Sequence, residues 1–494
     1  MPSVLRTTPT VRRSIMPTAQ DGFFEYLAGL DCSQLKVYGQ PEGTVVFPRV
    51  PVMRLEGPLL VCQLLETTLL NACNYASLMA TNAARFRIAA GPDKTLLEFG
   101  LRRAQGPDGA MSASRYSYLG GFDGTSNVAA AAAMGIVPRG THAHSFVSAH
   151  ESFADLSTRM LGEVDLLGAA LGYRKEMAYA SPSDSELAAF VAFAQAFPER
   201  FLALVDTYDT LASGMPNFIC VALALTLQCG YKPLGVRLDS GDLAYLSKEA
   251  RKLLKEADAK YGTQLAACTI VASNSINEAV LHALDDQAHE IDTFGIGTNL
   301  VTCQAQPALG MVYKLVEIKG KPRMKISQEI SKVTIPAAKE VFRLLGSEHV
   351  PLLDLIVRAG ETRPAVGKRM LCRHPFDEKK RCFVTPTAVL PLLGLVWLGA
   401  GAKVSEADAA DAAACSGGST SALQAGQAGR EQDLRSPPPT MQATRSYVAA
   451  QLALLREDHL RAVNPTPYKV SVTSELYHYI HDLWLSEVPI PELA

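Results

Sequence analysis

The stretch LGVRLDSGDLAYLSKEARKLLKEADAKYG, Leu234–Gly262, decides the architecture. LGVRL reads as a short strand, and the polar turn Asp239-Ser240-Gly241-Asp242 ends it. From Leu243 the period changes: Leu246, Ala250, Leu253, Leu254 and Ala257 share one helical face. The same alternation recurs downstream. CTIVAS (Cys268–Ser273) reads as a strand, and Ser275-Ile276-Asn277-Glu278 as a capping box opening the helix INEAVLHAL. IDTFGIGT (Ile291–Thr298) is a further strand with a glycine-rich end. Upstream, NFICVALALTLQCG reads as a helix stopped by Gly230, and GIVP (Gly135–Pro138) as a strand running into a polar loop. Alternation of this kind predicts an α/β fold with a parallel sheet or barrel, because parallel strands need helical crossovers. In either form, ligand groups gather beyond the strands' C-terminal ends.

The rest of the 494 residues surrounds this region. Apolar residues make up 48% and charged residues 19%, with a net charge of −2, so neither nucleic acid nor a membrane is an expected partner. The ten cysteines lack C-x-x-C or zinc-like spacing, and Cys220, Cys268 and Cys303 sit in apolar runs. That predicts reduced thiols and a cytoplasmic location. Arg6, Arg12 and Arg13, with no acid in the first twenty residues, raise an organelle-targeting segment as the alternative. The apolar run Val389–Ala402 is shorter than about 20 residues and broken by Pro391, which predicts a buried helix or strand pair rather than a membrane span. Gly401–Thr440 is rich in Ala, Gly, Ser and Pro and reads as a disordered insertion. GTVVFPRVPVMRLEGPLLVCQLLET, before Gly91, reads as short β runs followed by a helix. PYKVSVTSELYHYIHDLW, near the C-terminus, reads as a strand and then a helix.

Four motifs carry chemistry. Arg237-Leu238-Asp239-Ser240-Gly241-Asp242 offers a guanidinium for an anion or flat ring, and two carboxylates for ribose hydroxyls or a hydrated Mg²⁺. A turn and helix N-cap explains the same residues equally well. Gly295-Ile296-Gly297-Thr298 lets backbone N–H groups approach a phosphate, or is a tight packing turn. Arg102-Arg103 suits polyphosphate, or is a solvated basic loop. His142-x-His144 can supply two imidazoles to a metal-dependent hydrolase barrel. However, LGVRLDSGD, TIVASN and FGIGT add no further histidine to such a site.

Taken in order, FGLRRAQGPDG, SYLGGFDGTSNV, GTHAHSFV, GVRLDSGD and FGIGT resemble the nicotinate phosphoribosyltransferase family. The correspondence runs from about Phe23 to Arg343, with a weaker echo near the C-terminus. The resemblance implies a type II phosphoribosyltransferase-like α/β barrel with a flanking α+β domain built from both ends of the chain. The expected layout places an unstructured or targeting-like segment at 1–20 and the barrel at 91–330. The flanking domain then takes 21–90, 331–400 and 441–494, with the insertion at 401–440. The implied reaction joins nicotinate to 5-phosphoribosyl 1-diphosphate (PRPP), with coupled ATP hydrolysis and Mg²⁺ (or Mn²⁺), in a homodimer.

By the same resemblance His144 is the phosphorylatable histidine and His142 a bystander, so His142→Ala is expected to leave phosphorylation and ATP coupling intact. Arg237 and Thr141 correspond to nicotinate contacts, and Arg102 and Ser145 to substrate neighbours. Gly295, Gly297 and Thr298 correspond to a PRPP-phosphate site, and Asp239 to the ribose or magnesium-water partner, with Asp242 a second candidate through water. Nothing like the family's opening L-T-D-L-Y-Q occurs before Asp21. That motivates an alternative: a catalytically impaired relative that binds or dimerises.

Overall fold

In the computed structural model the described residues are 14, 16–327, 329, 332–403, 432–433 and 439–487. The targeting-like reading of residues 1–13 and most of the 401–440 insertion lie outside them. The chain divides into two units: Asn74–Leu309, and a discontinuous one comprising the residues up to Cys73 and those from Gly310 on. These joints fall earlier than the 90/91 and 330/331 boundaries expected. The first lies inside a continuous helix, Leu59–Ala90, which shows no break in composition.

Six strands organise the Asn74–Leu309 unit: β1 (Thr95–Glu98), β2 (Gly124–Thr125), β3 (Leu202–Leu204), β4 (Gly235–Leu238), β5 (Thr269–Ala272) and β6 (Thr293–Ile296). Their order is β2-β1-β6-β5-β4-β3, and every neighbouring pair is parallel. The crossover from β4 to β5 is the helix Leu243–Tyr261, whose first turn is capped by the Asp242 carboxylate accepting the Tyr245 N–H at 3.0 Å. Ala250, Leu254 and Ala257 on its inner face are fully buried. The next helix, Glu278–Asp286, is capped by Asn277, which accepts the Val280 N–H at 2.9 Å. The expected capping box at Ser275 is not formed: Ser275 has φ +54°, and the helix starts two residues later.

Met215–Gln228 is buried on all sides from Met215 to Leu225 and serves as a core helix. Gly230 follows it at φ +75°, as its glycine predicts. GIVP forms only the bridge Thr125↔Pro138 on the β2 edge. On the opposite edge the Leu204 N–H donates to His142 Nε2 at 3.1 Å. Pro138–His142 therefore touches both edges of the sheet, and no backbone ladder joins β2 to β3 among the described residues.

The second unit holds β7 (Lys339–Leu345), β8 (Pro351–Arg358), β9 (Met370–His374), β10 (Asp377–Val384), β11 (Ala388–Pro391) and β12 (Val470–Thr473), in the order β10-β9-β12-β8-β7-β11. Alternation along β8 sends Leu353, Leu355 and Val357 to one core. Ile356 instead packs with Val472, Leu476 and Ile480 of β12 and the helix Ser474–Glu487. The apolar run at 389–402 forms two strands that do not pair with each other. After Pro391 the buried Leu392 and Leu393 turn the chain, and Gly394–Leu398 joins a separate sheet beside Lys36–Gly39.

A buried ion pair ties distant segments of this unit together. Arg343 donates Nε and Nη2 to the two Asp354 oxygens at 2.8 and 2.9 Å, and Nη2 also reaches the Val45 carbonyl at 2.7 Å. The Tyr468 hydroxyl donates to Asp354 at 3.1 Å, and its ring stacks on Phe47 at 3.7 Å.

Candidate active site

Parallel strands deliver their polar residues at the C-terminal ends, and the ends of β3, β4 and β5 here carry Asp206, Asp239 and Ser273. Arg237 is the centre of the cluster. It donates Nε to Ser273 Oγ at 2.8 Å, Nη1 to Thr141 Oγ1 at 3.1 Å and Nη2 to Asp239 Oδ1 at 2.9 Å. Its guanidinium carbon stands 5.3 Å from the Phe99 ring centroid. Asp239 Oδ1 also accepts the Ser273 hydroxyl. Burial pushes the Asp239 pKa up, but the Ser273 hydroxyl and the Arg237 charge outweigh it and hold it below the ordinary value.

His144 opens the short helix His144–Ser148 and remains 44% exposed at its side chain. Its Nδ1 is 3.2 Å from Thr207 Oγ1, and its Nε2 is 3.6 Å from Asp239 Oδ2 and 3.8 Å from Asp206 Oδ1. Asp206 is locked from its other oxygen, which accepts the Asp239 N–H at 3.0 Å and the Ser240 hydroxyl at 2.5 Å. Its Oδ1 is buried without a hydrogen-bond partner. The cluster therefore combines an exposed imidazole, two carboxylates aimed at one of its nitrogens, and a guanidinium beside an aromatic ring.

The residues expected from sequence are distributed unevenly. Thr141, Arg237, Asp239 and His144 converge. Asp242 does not: its carboxylate is the N-cap already described. Arg102 is exposed in the turn Leu101–Arg103 after β1, and Ser145 is exposed beside His144. The described hydrogen bonds link neither to the cluster. Gly295 and Gly297 pack against Phe99. A Cβ added to Gly295 would lie 2.5 Å from its ring, and one on Gly297 2.8 Å from its carbonyl oxygen, so neither position has room for a side chain. Thr298 begins the helical turn Thr298–Val301 immediately after them.

His142 is buried with its Nε2 engaged by Leu204 and its Nδ1 3.4 Å from the Ala143 carbonyl. Both ring nitrogens face backbone groups, so the two-histidine metal reading fails. Among the described residues no group of three His, Cys, Asp or Glu side chains is placed to hold a metal.

Sequence reasoning missed Asp206, Thr207 and Glu98. The apolar run Phe201–Val205 just before Asp206 was the available signal for β3 and its end. Glu98, 1% exposed, accepts the Ser114 and Thr125 hydroxyls at 2.8 and 2.5 Å and also the Gly100 N–H. It thereby fixes the turn that carries Arg102.

Known proteins share this arrangement of elements. The chain superimposes on the crystal structure of nicotinate-nucleotide pyrophosphorylase from Pyrococcus furiosus with a TM-score of 0.53 at 23% identity, over 85% of this chain and 81% of that one, a likeness of fold alone. The class is that of mixed α/β proteins built on a parallel sheet. Against the crystal structure of human nicotinic acid phosphoribosyltransferase the TM-score is 0.79 at 39% identity, over 96% of this chain and 87% of that one. Nicotinate phosphoribosyltransferase of Dictyostelium discoideum is 51% identical over 97% of this chain and 78% of its own length. The human protein of that name is 42% identical over 96% and 85%. The profile of the nicotinate phosphoribosyltransferase (NAPRTase) family matches residues 95–170 and 224–351, its C-terminal domain 338–414 and 427–480, and its N-terminal domain 12–74. The chain belongs to the nicotinate phosphoribosyltransferase family. The match over 12–74 shows that the family's N-terminal domain is represented in this chain, and the full-length similarity favours the active enzyme over an impaired relative.

Proposed function

We propose that the protein is a nicotinate phosphoribosyltransferase of NAD biosynthesis, joining nicotinate and PRPP to give nicotinate mononucleotide and pyrophosphate with coupled ATP hydrolysis. The observation that carries the reading is the convergence of Arg237 and His144 on Asp239, a guanidinium and an exposed imidazole on one carboxylate, which supports an anion receptor beside a phosphate carrier. Purified protein incubated with labelled nicotinate, PRPP, ATP and Mg²⁺ tests it. Labelled mononucleotide and equimolar pyrophosphate are expected, and none at high enzyme concentration would defeat the reading.

In the reaction the nicotinate ring nitrogen bonds to ribose C1 while the C1–O bond to diphosphate breaks, through an oxocarbenium-like state. The protein's part is to position the partners and balance charge. Arg237 neutralises the nicotinate carboxylate, with Thr141 beside it. Arg102 and Ser145 border the substrates, and Gly295, Gly297 and Thr298 receive PRPP phosphate. His144 takes the γ-phosphoryl group from ATP as ADP leaves, and water later cleaves the N–P bond to release phosphate. Asp206 and Asp239 favour a proton on Nε2, which leaves the Nδ1 lone pair as the nucleophile. Asp206 and Asp239 also fit a hydrated Mg²⁺ (or Mn²⁺), since both are carboxylates and Asp206 Oδ1 is buried without a hydrogen-bond partner. When bound, that ion offsets phosphate charge.

Arg237→Gln keeps polar contacts but removes the charge. It is expected to raise KM for nicotinate roughly 10- to 100-fold and to erode discrimination against nicotinamide. An unchanged preference for the acid would place the carboxylate elsewhere.

The sheet is read as an α/β barrel, with Pro138–His142 filling the opening between β2 and β3. The chain is read as a homodimer in the cytoplasm. Cys62, Cys73, Cys220, Cys229, Cys268, Cys303, Cys372 and Cys382 are free thiols, which fits a reducing compartment.

A further inference from the structure

His142 takes no part in the substrate contacts above, yet it is 8% exposed and engaged on every side. Val205 N–H, one residue past the end of β3, bonds to the Arg237 carbonyl of β4 at 3.1 Å. Successive amides of a strand point to opposite sides, so the Leu204 N–H faces the open edge of the sheet, where a neighbouring strand would offer a carbonyl. His142 Nε2 occupies that place at 3.1 Å. With the Ala143 carbonyl 3.4 Å from Nδ1, the hydrogen-bond network assigns the neutral tautomer protonated on Nδ1. Phe146, Phe190 and Phe193 surround the ring, with centroids 5.5, 6.0 and 4.8 Å away. Burial in that setting, with Arg237 and His144 nearby, pushes the His142 pKa down to about 4, which keeps the Nε2 lone pair free for Leu204.

The consequence lies two and three residues further along the chain, just beyond β3, at Asp206 and Thr207, which face His144. The loop Thr141–His144 is thus tied to the end of β3 twice, through His142–Leu204 and through His144–Thr207. We propose that His142 is a positioning residue, its imidazole standing in for a strand carbonyl at the β3 edge and so setting the separation between His144 and the Asp206–Thr207 pair. The proposal rests on the reading of His144 as the phosphate carrier, and it revises the expectation that His142 is dispensable. Displacement of a reacting group by about 1 Å costs up to roughly 100-fold in rate.

Two substitutions test it. His142→Leu fills the aromatic cage without an acceptor, whereas His142→Gln places an amide oxygen where Nε2 lies. Single-turnover transfer of the ATP γ-phosphate to protein is expected to slow roughly 10- to 100-fold in H142L, with KM for nicotinate within about twofold of native. H142Q is expected within about threefold of the native rate. In the native enzyme, nitrogen NMR of labelled histidine should report the Nδ1–H tautomer, with a Leu204 amide protected from exchange. Native-rate phosphorylation in H142L, whatever its melting temperature, overturns the proposal, as does an H142Q as slow as H142L. If H142L fails to fold, H142Q and the NMR signature decide. An Nε2–H tautomer or an unprotected Leu204 amide overturns the seam. Absence of phosphohistidine in the native enzyme would instead defeat the functional reading, and the tautomer and the Leu204 amide would still decide whether the seam exists.

Discussion

Changing His144 to alanine is expected to abolish transfer of the ATP γ-phosphate to the protein and to uncouple ATP hydrolysis from turnover. In the proposed function the exposed imidazole is the nucleophile of the cluster, and neither Thr207 nor the carboxylates around it can replace its nitrogen. Mononucleotide synthesis should persist at an ATP-independent level. Loss of the coupled rate should exceed about 1,000-fold, as for other residues that carry a covalent intermediate. The check is incorporation of labelled phosphate that is labile to acid and stable to base. Persistence of that label in the alanine variant would move the phosphorylation site to another residue.

The second large effect concerns stability. Arg343 and Asp354 have side-chain exposures of 6% and 0%. Asp354→Ala leaves the guanidinium buried without its counter-charge and is expected to cost about 3–5 kcal/mol. Replacing both partners, as Arg343→Met with Asp354→Leu, removes the unpaired charge and should recover part of that loss, the remainder reflecting the Val45 carbonyl and the Tyr468 hydroxyl left without their partners. Both tryptophans of the chain, Trp397 and Trp484, lie in the same unit, so their fluorescence during denaturation reports it selectively. Equal destabilisation by the single and double changes would show that shape, not charge, matters at this place.

The sequence made legible whatever repeats or caps. The crossover helix at Leu243–Tyr261, the strands on either side of it and the stop at Gly230 follow from periodicity and backbone chemistry that act within a few residues. Three things escaped. β3 is three residues long, too short for any period to register, and so Asp206 and Thr207 were not placed at a strand end. The joint between the units lies within the helix Leu59–Ala90, where local propensity is uniform. The work of His142 depends on Leu204, sixty-two residues away, and no local pattern announces an edge amide in need of an acceptor. Of the site, Thr141, Arg237, Asp239 and His144 were legible through the family's motifs. Arg102 and Ser145 follow from the same motifs, but the structure gives them no shared hydrogen bond with the cluster.

The Arg343–Asp354–Tyr468 tie also bears on synthesis. Val45 and Phe47 find their partners at Arg343, Gln451 and Tyr468, the farthest of them more than 400 residues downstream. At about 5–20 residues per second, a ribosome needs roughly 20 to 80 s to travel from Cys73 to Tyr468. Through that interval the early segment has emerged while its companions are unmade, and the whole of Asn74–Leu309 is completed in between. Nascent chains halted short of Tyr468 should therefore be cut readily by protease within their first 73 residues, and released full-length chains should not.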